Sequence, residues 1–216
     1  MRRLLFAVFA LVWIAPAQAQ SEQEALVEKA QLTLESMARE KDLPVADYLK
    51  RAKAVLIVPQ ILKAGFIIGG AGGSGVLVAR GQQGWSDPAF MTMGAGSIGL
   101  QIGAEAQEVV LLVMTDKGLD AILKDNVKLG GDASIAVGPV GAGASAATTT
   151  NLDADVISFA RSKGLYGGVS FEGAVVANRH EWNQAYYGRQ ASGADVLKAK
   201  PAKAGALRQS LAKLGG

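Results

Sequence analysis

Glycine set inside strand-like sequence is the feature that most constrains this chain. In Gly164-Leu165-Tyr166-Gly167-Gly168-Val169-Ser170-Phe171-Glu172-Gly173, Tyr166, Gly168, Ser170 and Glu172 fall on one side, while Leu165, Gly167, Val169, Phe171 and Gly173 fall on the other. Period-two spacing with β-branched and aromatic residues reads as a strand. Glycine within a strand has no side chain to pack, so it marks a bulge, a sharp bend or a second backbone lying close. The stretch therefore predicts a buried strand, Leu165 to Val176, in a tightly curved sheet.

The same texture recurs upstream. Ala54 to Val58 is a short apolar run stopped by Pro59. Gly65-Phe66-Ile67-Ile68 and Val76-Leu77-Val78 flank Gly69 to Gly75, which reads as a strand, a glycine-rich turn and a returning strand. Residues 89 to 115 predict three strands, the last of them, Val109 to Met114, buried on both faces. Asp132 to Ala147 predicts one or two strands with a break at Pro139, and Val156 to Arg161 one more. Two G-x-G-x-x-G matches, at Gly70 and at Gly94, open into strand patterns rather than helices, so neither is a dinucleotide loop.

Helical signals lie toward the ends. Ser21-Glu22-Gln23-Glu24 has the capping-box form, and Leu26, Ala30, Leu34 and Met37 follow at helical spacing. A second short helix is predicted from Pro44 to about Ala52, another over Lys117 to Lys124 with Asp116 as its N-cap, and another over Arg179 to Tyr187. Ahead of them Arg2 and Arg3, an apolar run from Leu4 to Ala15 and Ala17-Gln18-Ala19 are the parts of a secretory signal peptide cleaved after Ala19. Without Arg2 and Arg3 the chain carries 20 bases against 19 acids. Overall charge thus gives no footing for nucleic-acid binding. Cysteine is absent, which excludes disulfides and thiolate chemistry and suits an exported periplasmic protein.

The organisation expected is a signal peptide over 1–19, an amphipathic helix over 20–44, the main domain over 45–198 and a basic flexible tail over 199–216. The fold class expected is α+β, with N-terminal helices packed on a glycine-rich, mostly antiparallel, strongly curved sheet. Catalysis is poorly supplied. The one histidine, His180, sits on a predicted helix, and no Gly-x-Ser-x-Gly elbow or calcium loop is present. Neither a metal nor a cofactor is expected. An outer-membrane β-barrel is the rival architecture, but the chain has few aromatics for interfacial girdles, and its ends read as helical and basic.

Ser162 to Gly173 resembles the signature of the SYLF domain, a module described as lipid-binding. The resemblance continues through Tyr187-Gly188, Ser192 and Leu197 and reaches back to Leu49 to Val55, Ala64 to Phe66, Gly75 to Leu77 and Gly99 to Gly103. It implies a non-catalytic domain that binds an anionic phospholipid or membrane surface, in an exported bacterial setting. A protein–protein role in the envelope is the alternative. With the resemblance in hand, the basic residues become the candidate lipid contacts: Lys50, Arg51, Lys53, Lys63, Arg80, Arg161 and Lys163.

Overall fold

The computed structural model describes residues 21–139, 153–162, 165–167 and 171–216. Its centre is one long antiparallel hairpin of β1 (Ala54–Gly81) and β3 (Ala89–Val113). The register runs from Ala54↔Val113 to Leu77↔Ala89, with shifts between Val58 and Ile61 and between Gly65 and Ile67. A two-residue strand, β2 (Gly84–Trp85), turns back onto the end of β1.

Two expectations are corrected here. Gly69 to Gly75 is not a turn but the interior of β1, and the three strands expected in 89–115 are one. The reason is register: Gly70 faces Gly96 and Gly72 faces Gly94, so small residues meet small residues across the ladder. Pro59 does not stop the strand because it falls in the first register shift, where proline costs no ladder hydrogen bond.

A straight strand of this length would span roughly 90 Å. Instead β1 curls across its own beginning. A Cβ on Gly75 would lie 2.5 Å from the Ile57 carbonyl oxygen, and one on Gly73 would strike that of Gln60. Further along, the Arg80 N–H donates to the Lys53 carbonyl at 2.7 Å, closing the curl.

The rest of the sheet builds on β3. Strand β6 (Val156–Ser162) pairs with Gln107 to Val113, and β5 (Ile135–Val137) runs parallel to β6. Strand β7 (Leu165–Gly167) pairs antiparallel with β6. Strand β8 (Val175–Asn178) pairs with Met91 to Gly94 and with β4 (Val127–Lys128). Among the described residues the sheet is therefore eight-stranded and mostly antiparallel, as the α+β reading expected. The single strand expected over Leu165 to Val176 is two strands. Between them the Ala174 N–H bonds the Phe171 carbonyl across a tight turn, with Gly173 at φ 83°. Lys163, Gly164 and Gly168 to Ser170, part of the signature, lie outside the described residues, as do the signal-peptide segment 1–19 and the strands expected beyond Pro139.

Both faces of the sheet are covered. Helix α1 (Glu22–Arg39) starts with the capping box of Ser21 and Glu24, and Ala30, Leu34 and Met37 are buried. With α2 (Val45–Leu49) it packs on Val55, Ile57, Val76, Val78, Val110, Leu112 and Phe159. The alternating residues Leu56, Val58, Leu77, Val109 and Leu111 face a second core. There α3 (Asp116–Ile122) and α5 (Gly193–Lys198) contribute Ile122 and Val196. Two-sided burial explains the unbroken apolar run at the end of β3. Thr115, not Asp116, caps α3, accepting from the Gly118 N–H at 2.9 Å. Helix α4 (His180–Tyr187) stacks Trp182 and Tyr186 against Phe90.

The C-terminal segment, expected as a disordered or loosely helical basic tail, is a docked helix. It forms α6 (Gly205–Gly215), and Leu207 and Leu211 are fully buried against the α1–α2 core. The buried Asp87 carboxylate accepts from the Ala202 N–H at 2.7 Å and the Lys203 N–H at 2.8 Å, and Arg208 lies 3.3 Å away. Ser210 donates to Glu35 at 2.6 Å, a hydrogen bond that leads in holding that carboxyl below its ordinary range.

Asp155, at the foot of β6, ties three segments together. Burial opposes its charge, yet Thr115 Oγ1 at 2.6 Å, Ser134 N and Oγ at 3.0 and 2.8 Å and Lys117 Nζ at 3.1 Å hold it well below the usual carboxylate range. A depressed native pKa means that the unfolded chain binds the proton more readily. The stabilisation is therefore present above the ordinary aspartate value of about 3.9 and is lost as pH falls below it.

Two predictions follow the geometry. Gly75→Ala forces backbone apart and should cost about 1–3 kcal/mol, lowering the thermal midpoint by several degrees. Gly70→Ala meets nothing within 4 Å and should leave it unchanged. Equal midpoints would show that β1 does not cross itself closely. Asp155→Asn should cost about 1–3 kcal/mol at pH 7. The gap from the native protein should narrow at pH 3, where part of the native carboxylate's advantage is lost; a gap that stays constant would contradict the hydrogen-bond account.

Candidate functional site

The structure describes six of the seven candidate bases and gives them different roles. Lys50, Arg51 and Lys53 stay together at the end of α2, exposed to solvent. Lys50 meets the exposed Asp47 at 2.9 Å and Lys53 the exposed Asp116 at 3.2 Å, while Arg51 lies 5.1 Å from the ring centre of the buried Tyr48. Exposed pairs of this kind contribute about 0–1 kcal/mol, so an incoming anion displaces them at small cost.

Arg80 is a structural clamp. Its guanidinium donates to the carbonyls of Leu49 at 3.1 Å, Ala52 at 3.3 Å, Gly215 at 3.1 Å and Gly216 at 3.0 Å. It also stacks over Trp85 at 4.5 Å. A cation at the carboxyl ends of α2 and α6 satisfies carbonyls those helices leave without partners. Arg161, with 16% of its side chain exposed, pairs with Glu108 and with Glu40 at 3.3 Å and donates to Ser36 at 2.8 Å. With Glu108 it lines a cleft of about 780 Å³ beneath α1, so its charge there is already paired. Lys63 is half-buried on β1 with Glu105 opposite in register. That places it ten residues along the strand from Lys53, toward the end where Gln107 meets both Ile61 and Ser162. Lys163 lies outside the described residues.

Beside the Lys50–Lys53 cluster is a groove that the sequence reading missed. It holds about 600 Å³ between the β1–β2 turn, α3, α5 and the segment up to Pro201. Half-buried Leu119, Leu123 and Leu197 line it, and exposed Lys198 and Lys200 stand at its rim. The one signal in the sequence is the Leu197-Lys198-Ala199-Lys200 run, which straddles the expected boundary between domain and tail. Arg80 lies between cluster and groove, its N–H bonded to the Lys53 carbonyl and the residue itself part of the groove's lining.

His180 Nε2 lies 3.2 Å from Asp125 Oδ1, with both side chains more than half exposed. Asn178 donates to the same carboxylate at 3.2 Å. Among the described residues no group of three or more histidines, cysteines and acids is placed to hold a metal ion. No described helix is long and apolar enough to cross a membrane.

Comparison with known proteins gives the ancestry. A family model described as "Ysc84: Las17-binding protein actin regulator" matches residues 94–214, a span that runs through α6. LAS seventeen-binding protein 3 of Saccharomyces cerevisiae is 37% identical over 158 residues, covering 71% of this chain and 34% of that protein. Protein YSC84 of the same yeast is 35% identical over 156 residues, covering 70% and 33%. The human SH3 domain-containing YSC84-like protein 1 is 34% identical over 154 residues, covering 70% and 45%. The chain thus corresponds to a third to under a half of the length of these relatives. Matched from β3 to the C-terminal helix that follows the Asp87 contacts, the chain belongs to the Ysc84 family, the family of the SYLF domain.

Proposed function

We propose that this protein is a binding domain, not a catalyst, that associates with anionic membrane surfaces. The observation that carries the reading is the position of Lys50, Arg51 and Lys53, adjacent and exposed at one end of the curled sheet, while Arg80 and Arg161 are held by internal partners. Amines near an anionic bilayer contribute about 1 kcal/mol each. A net charge close to neutral gives no overall attraction, so contact depends on this local patch. The Arg2-Arg3 start, the apolar run and Ala17-Gln18-Ala19 support export, and with it a membrane of the bacterial envelope as the surface met.

Flotation with phosphatidylglycerol or cardiolipin vesicles tests the lipid reading. The protein should float at low salt and lose binding as ionic strength rises, since exposed charges are screened within about 8–10 Å. Replacing Lys50, Arg51 and Lys53 together with Gln should weaken binding about tenfold or more. No flotation at low salt would overturn the lipid reading. A protein-binding role would then lead, which the family's description as Las17-binding actin regulators favours. For export, N-terminal sequencing of the periplasmic protein should begin at Gln20; an intact Met1 form embedded in a membrane would contradict it.

A further inference from the structure

We propose that the groove between the β1–β2 turn, α3 and α5 takes an acyl chain of one anionic phospholipid, with Lys198 and Lys200 at its headgroup. The inference rests on the membrane reading and says where a single lipid is held.

The lining has two chemistries in the right order. Leu119 and Leu123 are one helical turn apart at the end of α3, and Leu197 comes from α5 on the opposite wall. All three pack against the core beneath and are only half covered. A volume of about 600 Å³ falls within the range of small-ligand sites, which are mostly apolar with a few polar groups at fixed points. At the rim the exposed Lys198 and Lys200 stand against a single lining acid, Asp120, while the Arg80 guanidinium is engaged by backbone carbonyls. The groove is therefore apolar within and cationic at its mouth.

The groove also continues the basic cluster. Lys53 binds Asp116 at the first turn of α3, and that same helix supplies Leu119 and Asp120 to the groove. Lys53, just after α2, is thus tied to the helix that forms one wall, while Lys198 and Lys200, at and just beyond the end of α5, line the opening itself. A phospholipid fits this layout better than an acidic peptide does. A peptide entering between leucines brings backbone N–H and C=O groups that need partners, whereas an acyl chain needs none.

The absence of cysteine allows a direct test with the full-length mature protein. Gln83, exposed in the turn that forms one wall, is replaced by Cys and labelled with an environment-sensitive nitrobenzoxadiazole dye. Dihexanoylphosphatidylglycerol is titrated below its micellar concentration, and glycerophosphoglycerol, the same headgroup without chains, is titrated in parallel. The lipid should give a saturable blue shift and the headgroup alone should not. A label on Leu32→Cys, exposed on α1 and outside the groove, should not respond. Lys198→Gln with Lys200→Gln should raise the apparent Kd about tenfold with an unchanged thermal midpoint.

A silent Gln83 label overturns the groove, as does an equal response to the headgroup alone or a response untouched by the double variant. If vesicles still float the protein while the label stays silent, the groove fails and the membrane reading stands. Saturable uptake of the monomeric lipid without flotation supports the groove and removes the membrane reading.

Discussion

The crossing of β1 over its own first turn of sheet is the contact on which the molecule depends. At Gly73 and Gly75 the chain passes so near Gln60 and Ile57 that no side chain fits between the backbones. Strand twist alone rotates neighbours by about 20–25° and cannot bring residue 75 back to residue 57. The two register shifts supply the extra bend, and glycine supplies the clearance. Once the crossing forms, Val55 and Ile57 join Val76 and Val78 in one core, and Leu56 and Val58 join Leu77 in the other. A single strand thereby contributes to both cores from both of its halves.

The crossing also places the charges. It brings Arg80 beside Lys53, close enough to reach the ends of α2 and α6 at once. Four charged side chains with little exposure then act as long-range ties. Arg80 fixes two helix ends, Asp87 fixes the approach to α6, Arg161 fixes α1 to the sheet, and Asp155 joins the caps of α3 and β6. Removing one partner from such a tie leaves a desolvated charge, which costs about 3–5 kcal/mol for a buried pair. None of these groups can turn to a ligand without that penalty. The groups able to do so are those in exposed pairs or at a rim, and they collect where β1 begins.

How much of this was legible depended on whether the signal was local. Helix α1 was, because Ser21 and Glu24 bond each other and its apolar residues keep one spacing. Strand β6 and helix α4 were legible for similar reasons. The long hairpin was not, because Gly69 to Gly75 reads as a turn until Gly94 and Gly96 are seen opposite. Helix α6 was not, because Leu207 and Leu211 are a thin apolar stripe, and its partners Asp87, Arg80 and Glu35 lie more than 100 residues away. The site divided in the same way. The adjacency of Lys50, Arg51 and Lys53 is a fact of sequence, whereas nothing local separates Arg80, a helix clamp, from a free base.

The docked C-terminus changes what the basic end of the chain can do. On a loose tail, the five bases from Lys198 onward (Lys198, Lys200, Lys203, Arg208 and Lys213) would meet any anionic surface without preference. Held in place, Lys203 lies 4.5 Å from the Tyr186 ring centre and Arg208 lies against Asp87, so two of them are turned to internal contacts. Lys198 and Lys200 are fixed at a rim instead, because α5 is capped by Ser192 and Asp195 on one side and the chain is caught by Asp87 at Ala202 on the other. Two amines held at fixed points beside a leucine-lined groove lose less freedom on binding than the same amines on a flexible tail. Preorganisation of that kind favours a defined anionic ligand over diffuse attraction.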